Sequence, residues 1–90
     1  MLKSKKFTTD QAKKNGDLLG IDWVKFDVEE FRSGMDVELE HGSIDSLTNL
    51  TNDDPLSTAK IALAHLNEIP DYYTRLKKME AEAKAYWKSL

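Results

Sequence analysis

Ninety residues with 40% hydrophobic content make one small domain, able to bury roughly 60–65% of its unfolded surface, and no apolar run nears the ~20 residues of a membrane span. A net charge of −3, from 16 acids and 13 bases, argues against a dedicated nucleic-acid binder, which carries a basic face. The absence of cysteine excludes disulfides, thiol catalysis and cysteine-type zinc sites, so any metal would rest on nitrogen and oxygen donors. The start of the chain, MLKSKKFTTD, has lysines but no apolar signal-peptide core, so a cytoplasmic protein is expected. Lys3, Lys5, Lys6, Lys13 and Lys14 make this end locally basic, which reads as a solvated tail over 1–7 and a wet helix face. A single helical domain is expected over 8–90.

The first helix should start after Thr8, with Gln11 completing a capping box, and run to Leu19, where Gly20 supplies a left-handed stop. Gly16 weakens it by roughly 1 kcal/mol relative to alanine. The segment Ile21-Asp22-Trp23-Val24-Lys25-Phe26 is too short for its own helix and should pin a turn to the core through Trp23. Asp27 caps the second helix, with Glu30 three residues on and Phe26 placed to staple against Phe31. Val28, Phe31, Met35 and Leu39 mark its apolar stripe, and Gly42 ends it. A polar loop over 43–54 leads to Asp54-Pro55, a cap followed by proline at the first helical position.

The third helix, over 55–69, is the most apolar, through Leu56, Ala59, Ile61, Ala62, Leu63, Leu66 and Ile69. His65 lies between Ile61 and Ile69 on the wheel and is expected to be largely buried. Pro70-Asp71 breaks and recaps the chain. The fourth helix, from Tyr72 to Lys88, carries an apolar arc of Tyr72, Leu76, Met79, Ala83, Tyr86, Trp87 and Leu90. The class is all-α, a compact four-helix domain.

Two words hold the chemistry. Glu38-Leu39-Glu40-His41 and His65-Leu66-Asn67-Glu68 contain both histidines of the chain, each three residues from a carboxylate and so on one helical face with it. On antiparallel helices, Glu38, His41, His65 and Glu68 could converge as ligands of a divalent transition metal, as in carboxylate-bridged helical bundles. Asp71, Tyr72 and Glu80 would then be reserve ligands or orient the imidazoles. The same residues could instead form a hydrogen-bonded network that fixes two helices, since a buried imidazole must satisfy both nitrogens. Tyr72 and Tyr73 read as core-edge side chains whose hydroxyls reach water or a carboxylate. Enzymatic signatures are thin, with no phosphate-cradling glycine loop and no nucleophile elbow, so catalysis is not expected.

The words GMDVELEHG, NLTNDDP, IALAHLNEIPDYYTRL and KME resemble a family of small bacterial, archaeal and phage proteins, domain-of-unknown-function family 5661. The resemblance implies a compact helical module with no activity attached. It takes in Glu38, Glu40, His41, His65, Glu68, Asp71, Tyr72 and Tyr73 without telling a ligand from a core residue. The expected role is binding of a protein partner, with a homodimer through Tyr86, Trp87 and Leu90 as one form. Metal binding through the two histidine words is the alternative. A nucleic-acid accessory role through the amino-terminal lysines is a weaker third.

Overall fold

The computed structural model describes residues 6–90, and the expected tail over 1–7 falls mostly outside them. Four helices follow in order: α1 (Thr9–Leu18), α2 (Val28–Glu38), α3 (Pro55–Glu68) and α4 (Tyr72–Lys88), and a short 3-10 turn, Leu39–His41, extends α2. No strand occurs among the described residues, and no helix there is long and apolar enough to cross a membrane. The all-α reading holds.

Local chemistry explains the helix starts. The Thr8 hydroxyl accepts from the Gln11 N–H at 3.1 Å while the Gln11 side chain accepts from the Thr8 N–H at 2.8 Å. Asp27 accepts from the Glu30 N–H at 2.9 Å, and Asp54 from the Ser57 N–H at 2.8 Å with Pro55 opening α3. Gly20, at φ +74°, is the left-handed stop after α1. Phe7 packs on the core, and its N–H donates to Asp36 at 2.7 Å.

The start of α4 differs from expectation. Asp71 makes no side-chain cap; its carboxylate takes the Arg75 guanidinium at 2.9 Å instead. The cap comes from another helix. Glu30 of α2 accepts the Thr74 N–H at 2.9 Å and the Thr74 hydroxyl at 2.6 Å. An orphan donor of the first turn is thus satisfied across the α2–α4 contact.

The middle position belongs to α2, which packs against α1, α3 and α4. Phe31 and Met35 of α2, Ala12 of α1, Phe26 before α2, Ala59, Ala62 and Leu66 of α3, and Tyr73 of α4 form the core. Alanines at three of these positions let the helix axes come close. Trp23 is the expected anchor, edge-on to Phe31 with centroids 5.7 Å apart and its indole N–H donating to Asp17 at 2.8 Å. The residue read as a weak point of α1 is its seat: a Cβ on Gly16 would stand 2.4 Å from the Trp23 ring.

Two apolar expectations need correction. Ile69 is exposed because α3 ends before it, at Glu68. The α4 arc is covered only in part: Tyr72, Leu76 and Ala83 are half-buried beside the buried Tyr73, while Met79, Tyr86, Trp87 and Leu90 are 53%, 59%, 70% and 78% exposed. With 17 residues against 11 in α2 and 14 in α3, α4 is the longest helix, and the core reaches only its first turns. Helical spacing marks an apolar face; it does not say how far a neighbour extends along it.

Candidate functional site

Glu38 ends α2 with its carboxylate turned inward, 3% exposed, among three aromatic or imidazole rings. The Tyr73 hydroxyl donates to Oε2 at 2.5 Å, a contact between residues 35 apart in sequence. Nε2 of His65 stands 3.5 Å from the same Oε2, and Nε2 of His41 stands 3.3 Å from Oε1. His41 also lies 3.7 Å from Glu40. One carboxylate therefore gathers groups from the 3-10 turn, α3 and α4. The Tyr73 hydrogen bond to a carboxylate is of the charge-assisted kind, about twice as strong as a neutral one, and the sheltered position strengthens it further.

Aromatic packing fixes the rings around it. The Tyr72 ring lies flat on the His65 imidazole, centroids 4.3 Å apart and planes 8° from parallel. Tyr73 meets both edge-on, 6.0 Å from His65 and 5.0 Å from Tyr72. Tyr73 can reach Glu38 only because α2 carries a glycine beneath its ring. A Cβ on Gly34 would sit 2.3 Å from Tyr73 Cε2. Burial, and then the hydrogen bond to Glu38, push the Tyr73 phenol well above its ordinary value, because a second negative charge there would be unsolvated and beside a carboxylate.

The sequence-predicted residues divide clearly. Glu38, His41 and His65 come together, so the facing of the two histidine words is as expected. His65 is less covered than expected: its side chain is 37% exposed and that of His41 43%, so both rings line the edge of the cluster and only Glu38 and Tyr73 are interior. Glu68 is exposed and makes no hydrogen bond or ion pair among the described residues, although it lies three positions from His65. Asp71 is committed to Arg75 at the surface. Tyr72 orients the His65 imidazole, and does so through its ring face. Glu80 makes no hydrogen bond or ion pair with the cluster. Among the described residues no group of three or more histidine, aspartate and glutamate side chains is placed to hold a metal ion.

Sequence reasoning missed Tyr73 as the centre of the site and Gly34 as its seat. The signal was present in the pairing of an aromatic with a glycine inside a helix, but only the packing says which ring the glycine admits. A different polar cluster holds the other side of α2. Arg32 binds Glu29 at 2.8 Å and Asp36 at 2.9 Å, and Thr9 of α1 donates to Glu29 at 2.5 Å. The Thr9 hydroxyl and the Arg32 guanidinium lower the Glu29 carboxyl below its ordinary value.

The model of the family described as "Protein of unknown function (DUF5661)" matches residues 12–82, which takes in every member of the Glu38 cluster and α4 as far as Glu82. No curated protein and no solved structure matches the chain.

Proposed function

Because the chain belongs to the DUF5661 family of proteins of unknown function, its role has to be read from its own side chains, and we propose a small non-catalytic domain that binds a protein partner through α4. The observation that carries this reading is the stripe of Met79, Tyr86, Trp87 and Leu90, each more than half exposed, running from the middle of α4 to two residues past its end. A domain of this size has no surplus of large apolar residues, and contiguous exposed ones mark contact surfaces. Tyr and Trp are the side chains that dominate binding energy when a partner covers them. The Glu38 cluster supports the same reading from inside. Its carboxylate oxygens are engaged by Tyr73, His65 and His41, so it acts as an internal clasp between α2, α3 and α4.

The test is a paired substitution, Tyr86→Ser with Trp87→Ser. If the two rings serve a contact surface, thermal and urea unfolding of the dilute protein should change by less than about 1 kcal/mol, the usual surface range. Core aromatics lost from the fold would cost about 3–5 kcal/mol each. A loss of that size would make these rings part of the fold and overturn the proposal.

A further inference from the structure

Two charged side chains of α2 hold the backbone of a residue that lies ahead of α1. The Phe7 N–H donates to Asp36 Oδ1 at 2.7 Å, and the Phe7 carbonyl accepts from Arg32 at 3.4 Å. Arg32 and Asp36 stand four residues apart on one helix face and bind each other at 2.9 Å, so a donor and an acceptor lie side by side. Together they match the N–H and C=O that any single residue offers, whatever its side chain. The ring adds the remaining hold, packed against the core. We propose that this face of α2 is an exchangeable docking site for an extended protein segment carrying a lysine followed by an aromatic residue, and that Lys6-Phe7 fills it in cis.

Site and occupant are separable in three respects. The α1 helix keeps its cap without Phe7, because the two bonds between Thr8 and Gln11 are local. It also keeps its own hold on the body, through Ala12 in the core and the Thr9 bond to Glu29. The vacated face stays satisfied, since Arg32 retains Glu29 at 2.8 Å and Asp36 at 2.9 Å and no charge is left unpaired. The occupant is anchored at one residue: Lys6 and Thr8 on either side of Phe7 are exposed. Segments held by so few buried contacts open at low free energy. Charge narrows the ligand. Glu29 and Asp36 outnumber Arg32, so the face favours a basic segment, and the resident one carries Lys6 beside its ring. The site lies on a different helix from the exposed stripe of α4, and neither reading depends on the other.

The probe is a peptide of residues 3–9, KSKKFTT, blocked at both ends and titrated into the full chain bearing Phe7→Ala. Saturable shifts of the Arg32 and Asp36 amide signals are expected. The parent chain should bind the same peptide about tenfold more weakly or worse, because only molecules that have released Phe7 can accept it. A peptide with alanine in place of phenylalanine should not saturate. In the parent itself, the Phe7 amide should exchange with solvent well before that of Met35 in the core of α2. Absence of saturable binding to Phe7→Ala overturns the proposal, and so does equal binding of the alanine peptide, which would reduce the effect to charge attraction. A Phe7→Ala chain that no longer folds, or a Phe7 amide that exchanges no faster than Met35, makes the ring a fixed part of the core and overturns it as well.

Discussion

Tyr73 is held by two opposite requirements: its ring needs the core and its hydroxyl needs a partner there. Glu38 meets the second need, and Gly34 meets the first by leaving room for the ring. Removing the hydroxyl with Tyr73→Phe leaves a buried carboxylate short of a donor, so the variant should lose about 2–3 kcal/mol in urea unfolding. The pH dependence has a defined sign. The folded phenol titrates above its unfolded value of 10.0, so its contribution is complete below pH 10 and is lost as pH rises beyond it. Stability should fall by up to about 1.4 kcal/mol per pH unit from this group above pH 10, and the Tyr73→Phe protein should show a shallower alkaline decline. Equal slopes for the two proteins would contradict this account. At Gly34 two effects compete. Alanine raises helix propensity by up to about 1 kcal/mol, but its Cβ would drive into the Tyr73 ring. Overpacking against a ring held on both sides wins, and Gly34→Ala should destabilise by about 2 kcal/mol or more. A denaturation midpoint equal to or above that of the parent would show that the ring has room to move.

Among the helices, α4 differs in how it begins. The other three open on their own threonine or aspartate caps, which are local chemistry and therefore legible: Thr8, Asp27 and Asp54 each sit directly before the helix they cap. Asp71 occupies the same kind of position before α4, yet at φ −111° and ψ 31° its backbone lacks the extended cap conformation. Glu30 replaces it from a different helix, a substitution that no local pattern announces. Glu30→Ala should therefore cost about 1 kcal/mol and weaken α4 at its start, although the residue belongs to α2. The amide signal of Thr74 is the direct reporter. If its hydrogen exchange is unaltered in Glu30→Ala while stability falls, the loss comes from within α2. The end of α2 was legible only in part: Gly42 marks the stop, but the tightening into a 3-10 turn at Leu39–His41, which carries His41 to Glu38, follows from packing.

At the scale of the whole molecule, the meeting of the two histidine words was legible because both lie on amphipathic helices joined by a loop long enough to bring them together. What they meet around was not. Glu38 and Glu68 are equivalent in spacing, and only the position of α4 decides that Glu38 is roofed by Tyr73 while Glu68 stays in water. The same blindness to neighbours hid the exposure of the second half of α4, where Tyr86 and Trp87 are 59% and 70% exposed. One continuous helix thereby lives in two regimes of opening. Amides near Tyr73 and Leu76 are tied to Glu38, Glu30 and the core, so they release their protons to solvent only when the domain opens as a unit. Those from about Glu82 onward have only their own turn to hold them and exchange by fraying. Within α4 a protease should cut first at Lys84 or Lys88, and whatever covers the last turns of the helix would protect both sites.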